Sequence, residues 1–310
     1  MKRVFFLIAL ALLTACTENS GRSAFSSGSG EKLKIVATVF PLYDFAREIT
    51  GGLAEVTMLL PPGADSHFYE PTPRDIIDIN NCDVFLYIGG ESDRWAETVL
   101  NSSNDGMTTV ALIDAVEPLT EEFTEGMETG GDPGGDYDEH IWTSPANAKL
   151  IAERISGVIC GIDAENAPEY RRNTESFIQR LDGLDAEFKA IVGNAGRNIL
   201  VFADRFPFRY FAEYYGLDCY AAFPGCSPET EPSLGTVAFL IGTVKENSIP
   251  VVLYTESSDR KLAGIIKEET GAKGMLFHSG HTVSSDEFRR GTGYLDLMGR
   301  NAEVLREALE

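Results

Sequence analysis

Basic residues are scarce in this chain: 26 Lys and Arg stand against 48 Asp and Glu, a net charge of −22. That balance excludes a nucleic-acid binder and argues against a folded surface resting on anionic lipid. Small cations are the ligands that such a surface favours. No apolar run reaches the ~20 residues that a membrane-spanning helix needs. There is no HExxH stretch, the helix-borne ligand pair of many zinc hydrolases. Histidine is also rare, with only four in 310 residues.

Those four stand in polar, loop-like surroundings: His67 in PPGADSHFYEPTP, His140 in YDEHIWTSP, and His278 and His281 in FHSGHTVSS. Imidazole is the commonest transition-metal ligand, so the distribution reads as one shared metal site. Scattered surface histidines are the bland alternative.

The N-terminus is organised for export. Met1-Lys2-Arg3 is a basic start, Val4 to Leu13 a short apolar run, and Leu13-Thr14-Ala15-Cys16 closes it. The pattern resembles a bacterial lipoprotein signal, which implies cleavage before Cys16 and acylation of its sulfur. Residues 1–15 hold Lys2 and Arg3 and no acid, so their removal takes the charge from −22 to −24. Residues 16–31 then read as an acylated cysteine and a Ser/Gly-rich flexible tether. The expected location is extracytoplasmic, anchored to the membrane through lipid.

Four cysteines remain after Cys16, an even set in an exported protein. Cys219 and Cys226 can close a short disulfide loop, leaving Cys82 and Cys160; three connectivities and an all-thiol state all fit.

From Lys34 to about Ile162, short apolar runs (KIVATV, EVTMLL, DVFLYIG, TVALI) alternate with helical stretches at Leu42 to Thr50, Arg74 to Asn80 and Ala146 to Ile159. The grammar restarts after Arg197 with NILVF, a helix over Phe206 to Tyr215, LDCYA, Ser233 to Glu246, IPVVLY, Arg260 to Thr270, GMLF and a last helix reaching Leu309. Alternation of this kind predicts parallel sheets flanked by helices. Between the two halves, Phe177, Leu181, Leu184, Phe188 and Ile191 recur at spacings of four and three, with Pro168 where a first turn tolerates it. One long amphipathic helix is predicted, roughly 39 Å at 1.5 Å per residue. The expected fold class is α/β: two lobes over residues 32–163 and 196–310, each a small parallel sheet, joined by a rigid helix within 164–195.

The lipobox, PPGADSHFYEPTPRD, DEHIWTSPANAKLIAERI, the spine helix, and SPETEPSLGTVAFLI followed by VVLYTESS resemble the zinc/manganese-binding lipoproteins of ABC metal importers. The resemblance covers nearly the whole mature chain. It implies two α/β lobes around a metal cleft and a monomer that delivers the ion to an ABC permease and its ATPase. His67 and His140 are the first-lobe ligands it implies. Asp65 or Glu70 beside His67, and Asp138 or Glu139 before His140, are candidates to orient an imidazole.

The second lobe departs from the family pattern. Arg205 opens Arg205-Phe206-Pro207-Phe208-Arg209-Tyr210-Phe211 where the family has a histidine. A guanidinium has no lone pair to give and repels a dication unless an acid intervenes; Glu256 is the candidate acid. Counting from Gly271, the family's aspartate ligand falls on His278, with His281 three residues further on as the replacement for the lost ligand. Asp204 and Glu256 are competing oxygen donors. Imidazoles with at most one carboxylate favour Zn²⁺ over Mn²⁺, which prefers more oxygen ligands. Affinity is expected to fall below about pH 6, where imidazole protonates.

Glu121 to Glu139 carries eight acids, five glycines and no basic residue. It reads as a loop for weak electrostatic capture, or as a solvated insertion. A surface adhesin or metal buffer of the same fold is the alternative function, and a zinc hydrolase the remaining one; no bond chemistry is expected.

Overall fold

The computed structural model describes residues 31–101, 106–121, 123–127, 137–227 and 231–310. The leader and Cys16 lie outside these residues, as does part of the acidic insertion. No described helix is long and apolar enough to cross a membrane.

The first sheet contains β1 (Lys34–Ala37), β2 (Glu55–Met58), β3 (Val84–Tyr87) and β4 (Thr108–Ala111), in the order β2-β1-β3-β4. The second contains β5 (Ile199–Phe206), β6 (Asp218–Pro224), β7 (Val251–Tyr254) and β8 (Lys273–Leu276), in the order β6-β5-β7-β8. All pairings within both sheets are parallel. Each sheet therefore reverses its winding next to its first strand, where α/β proteins collect ligands beyond the strands' carboxyl ends.

The helices that matter to the site are α1 (Phe40–Thr50), α2 (Pro73–Asn80), α3 (Arg94–Leu100), α4 (Pro145–Ile162), α5 (Ala167–Gly193), α6 (Arg209–Tyr215), α7 (Leu234–Glu246), α8 (Lys261–Thr270), α9 (Ser285–Arg290) and α10 (Tyr294–Leu309). With 27 residues, α5 spans about 40 Å. It buries the anticipated stripe of Phe177, Leu181, Leu184, Phe188 and Ile191, packing on α1 and α4 along one half and on α6 and α10 along the other. One apolar core runs through both halves. At its middle, Phe45 of α1 meets Phe177 at 5.2 Å and Tyr294 of α10 edge-on at 5.0 Å. The Tyr294 N–H also donates to Asp44 at 2.7 Å. A shared core and a helical spine restrict relative motion of the sheets to small displacements.

Two local expectations need correction. The helix predicted from Phe206 begins at Arg209, because β5 continues to Phe206 with a register irregularity between Phe202 and Arg205. Pro207 is the physical reason, since the residue before a proline is driven out of the helical region. The Cys219–Cys226 loop also fails: Cys82, Cys160, Cys219 and Cys226 are all thiols. Cys219 lies near the start of β6 and Cys226 beyond its end. At ~3.3 Å per residue, the strand between them separates the pair by roughly 16 Å or more, far past what a disulfide spans.

Candidate metal centre

Each element of the site lies at or beyond a strand's carboxyl end. After β2, Pro61, Pro62 and Gly63 shape a stiff loop whose short helical turn, Ser66–Phe68, carries His67. Asp65 caps that turn, its side chain accepting the His67 N–H at 3.1 Å. His140 follows β4 and the acidic insertion and opens the turn Ile141–Thr143. Arg205 is in the last two residues of β5, Glu256 follows β7 and His281 follows β8.

His67, Glu139, His140 and His281 each bring one donor atom to within 4.8 Å of the others, the one such group of His, Cys, Asp and Glu side chains among the described residues. Their three imidazoles surround a common point, with ring centroids 5.6 Å apart for His67 and His140, 5.2 Å for His67 and His281, and 5.1 Å for His140 and His281. Asp65, Ser66, Arg205 and the three histidines line a cavity of about 20 Å³, room for roughly one water-sized particle.

Neighbouring groups fix the orientation of each donor. His140 is fully buried, its Nδ1 3.0 Å from Asp138 Oδ1, while its Nε2 is buried with no hydrogen-bond partner among the described residues. A polar atom is costly to bury unsatisfied, so this nitrogen is the donor that most needs a ligand. Ser92 holds Glu139: its N–H donates to Oε2 at 3.0 Å and its hydroxyl to Oε1. The same hydroxyl lies 3.0 Å from His67 Nδ1, which is also 3.4 Å from Glu139 Oε1. His281 Nε2 lies 2.5 Å from Ser66 Oγ, and its backbone N–H donates to Glu256 Oε1 at 3.1 Å. Trp142 packs against the rings of His140 and His281, and its Nε1–H donates to the Ser279 carbonyl at 2.8 Å.

The electrostatics suit a cation. Burial pushes the His67 pKa down to about 4 against the pull of Glu139, and His140 and Arg205 add to the fall. Burial likewise drives His281 well below the usual imidazole range, with His140, His67 and Arg205 contributing. Both rings are therefore neutral, with lone pairs available, at physiological pH. Burial opposes charge on His140 too, but the adjoining Asp138 carboxylate, helped by Glu139 and Glu121, leaves its pKa above the ordinary value.

The remaining candidates are placed elsewhere. His278 lies outside the group of four donors. Asn301 of α10 pins its backbone, accepting from its N–H and donating to its carbonyl at 2.7 Å each, and its Nδ1 accepts the Gly280 N–H at 3.0 Å. Gly280, at φ 74°, turns the chain so that His281 joins His67 and His140. Asp204 is taken up by Thr255 N–H at 3.0 Å, by the Thr255 hydroxyl, and by the Arg205 N–H at 2.9 Å. Glu256 accepts from the Ser279 N–H at 2.8 Å and its hydroxyl at 2.7 Å, so it organises the His281 loop. The acid that meets Arg205 is Asp65, at 2.9 Å. Glu70 is exposed. Sequence reasoning offered Glu139 as an orienting acid only; its place beside His67 depends on Ser92, which carried no signal.

Glycines make room for this packing. A Cβ on Gly225 would lie 3.0 Å from the Phe206 carbonyl oxygen and 3.2 Å from the His140 ring, and one on Gly90 would lie 2.5 Å from Glu139.

Comparison with known proteins agrees in extent with this architecture. A family model described as zinc-uptake complex component A, periplasmic (ZnuA), matches residues 35–308. The high-affinity zinc uptake system protein ZnuA of Bacillus subtilis (strain 168) is 29% identical over 310 residues, covering 99% of this chain and 97% of that protein. The zinc-binding lipoprotein AdcA of Streptococcus pneumoniae is 26% identical over 317 residues, covering 100% of this chain but only 62% of AdcA. The crystal structure of the Zn(II)-bound ZnuA-like domain of that AdcA aligns with a TM-score of 0.74 at 26% identity, over 90% of this chain and 99% of the domain.

Proposed function

Because this chain belongs to the zinc-uptake complex component A family, we propose that His67, Glu139, His140 and His281 hold its zinc ion between the two sheets. The family is one of metal-binding transport proteins, and the chain is a solute-binding protein for ABC zinc import. The buried Nε2 of His140, without a hydrogen-bond partner among the described residues and grouped with the neutral imidazoles of His67 and His281, is the observation that carries the ligand assignment.

Three imidazoles and one carboxylate make the near-tetrahedral set that zinc takes, whereas manganese prefers more oxygen and a higher coordination number. Glu139 as a fourth ligand closes the coordination sphere, which speaks for binding and release and against activation of a bound water. We assign the permease and its ATPase as the partners of a monomeric, loaded protein. The family is extracytoplasmic, and the AdcA relative is named a lipoprotein. Leu13-Thr14-Ala15-Cys16 supports acylation of Cys16.

Titration of the chelator-stripped protein with Zn²⁺ and Mn²⁺ against a competing chelator tests the reading. One tight zinc site is expected, lost in His67→Ala, His140→Ala and His281→Ala and weakened in Glu139→Gln. Tight zinc binding that survives all four substitutions would overturn it. Mass spectrometry of the membrane-associated protein tests the anchor: a diacylated Cys16 is expected, and an unmodified one would refute that part.

A further inference from the structure

Arg205 lines the small cavity that the three imidazoles surround, on the second sheet's side, and its Nη1 donates to Asp65 Oδ2 of the first-sheet loop at 2.9 Å. The pair is mostly buried, with side-chain exposures of 14% and 23%. The other oxygen of Asp65 accepts the His67 N–H, so one carboxylate links Arg205 to the backbone of a ligand. Two further contacts tie the same loop to the second sheet's loop: the Gly63 N–H donates to Thr282 Oγ1 at 3.0 Å, and Ser66 Oγ meets His281 Nε2. Arg205 itself lies over the exposed ring of Phe68, 5.9 Å from its centroid.

A permanent cation at the wall of a cation site needs an explanation. A guanidinium stays charged at any accessible pH and cannot ligate, so its direct effect on Zn²⁺ is repulsion, and in a partly buried site that repulsion is weakly screened. Asp65 is placed to neutralise it.

Resting on the zinc-binding reading above, we infer that Arg205 and Asp65 form a charge clasp across the cleft that sets how tightly zinc is held and how fast it leaves. While the clasp is closed, Asp65 masks the guanidinium and the ion sees the three imidazoles and Glu139. Small displacements are the ones that the shared core and α5 permit. A displacement that separates the His67 loop from β5 unmasks Arg205 beside the ion while it also parts Ser66 from His281. Loss of the Ser66 support to His281 and gain of a repelling charge then occur in the same movement, which makes zinc affinity steeply dependent on the spacing of the two loops.

The test is a charge cycle in the full chain, read as zinc affinity by chelator competition and as the zinc dissociation rate by stopped-flow transfer to a chromogenic chelator. Asp65→Asn leaves Arg205 unmasked and should weaken zinc and speed its loss by on the order of tenfold. Arg205→Gln leaves the Asp65 carboxylate facing the ion and should tighten zinc by a similar factor. The double variant should return close to the parent, and Arg205→Lys should stay on the parent's side of Arg205→Gln. A purely structural ion pair predicts a different pattern, in which both single variants weaken zinc; that result, or no change in either, overturns the clasp. His67→Ala is carried in parallel. Should the parent and His67→Ala bind zinc alike, the binding reading itself fails and the clasp with it; loss in His67→Ala without opposite shifts in the two charge variants sinks the clasp alone.

Discussion

His140 Nδ1 and Asp138 Oδ1 lie 3.0 Å apart, two residues from each other in the chain, and the same oxygen accepts the His140 backbone N–H at 2.8 Å. This fixes the ring through Nδ1 and leaves Nε2 as its buried nitrogen without a hydrogen-bond partner among the described residues. It also makes His140 the imidazole of the three that a proton contests most strongly.

The pH dependence of zinc binding follows from that difference between the rings. His140 has a raised pKa, so in the metal-free protein it takes up a proton as pH falls through a value above 6.5. His67, at about 4, and His281, well below its ordinary value, remain neutral there. Zinc affinity should therefore fall with a slope of about one proton per pH unit once pH drops below the raised His140 value, and keep that slope until pH approaches the His67 value of about 4, and not with the slope of three independent imidazoles. Asp138→Asn should move the onset of the loss to lower pH while weakening zinc by about 10–100-fold at neutral pH, because the ring is no longer oriented. Chelator competition across that range checks both, and a slope near three would refute the assignment.

His278 and His281 make a discriminating pair. His281→Ala removes a donor from the group of four and should abolish tight binding. His278→Ala leaves the four donors in place but orphans the Gly280 N–H, so it should cost about 1–3 kcal/mol of stability with zinc affinity changed only a few-fold. Thermal unfolding and titration of both variants separate ligand from scaffold.

Much of this arrangement can be read without coordinates. The doubled β/α alternation and the spacing of four and three from Phe177 to Ile191 have periods, and a period survives translation into structure. His67 is marked by the unusual Pro-Pro-Gly loop around it. Loops have no period, and there the reading is weakest. The count from Gly271 points to His278, because nothing in the string shows that Gly280 takes φ 74° and turns the chain. Asp138 and Glu139 look alike beside His140; their division of labour is decided in space, where the Asp138 carbonyl accepts the Tyr210 hydroxyl at 2.9 Å and Glu139 meets Ser92. The short α9 carries a signal that the periodicity passes over, a capping box from Ser284 to Glu287.

Trp142 is one of the points where the two sheets' loops are fastened near the three imidazoles. Its indole N–H donates to Ser279 O at 2.8 Å, and its own carbonyl accepts the Tyr294 hydroxyl at 2.7 Å. Trp142→Phe keeps most of the ring packing but leaves the buried Ser279 carbonyl unsatisfied, a loss of about 1–3 kcal/mol. Unfolding should shift to lower temperature, and added zinc should recover part of the shift because it binds only the folded state. A variant as stable as the parent would show that the indole bond contributes nothing.

Gly225 and Gly90 provide a steric test of the ligand set that leaves every donor chemically intact. A methyl at residue 225 would press on the His140 ring at 3.2 Å and on the Phe206 carbonyl oxygen at 3.0 Å, whereas one at residue 90 would collide with Glu139 at 2.5 Å. Gly225→Ala therefore tilts an imidazole by a few tenths of an ångström, and Gly90→Ala must drive the carboxylate off its place beside Ser92. Zinc affinity should fall by about tenfold in the first and by more in the second, within the range seen when ligand supports are disturbed. Gly216, at φ 67°, ends α6 with nothing near its missing Cβ. A Gly216→Ala control should therefore lose stability to backbone strain without weakening zinc. Equal zinc affinity in the parent, Gly225→Ala and Gly90→Ala would mean that neither His140 nor Glu139 touches the ion.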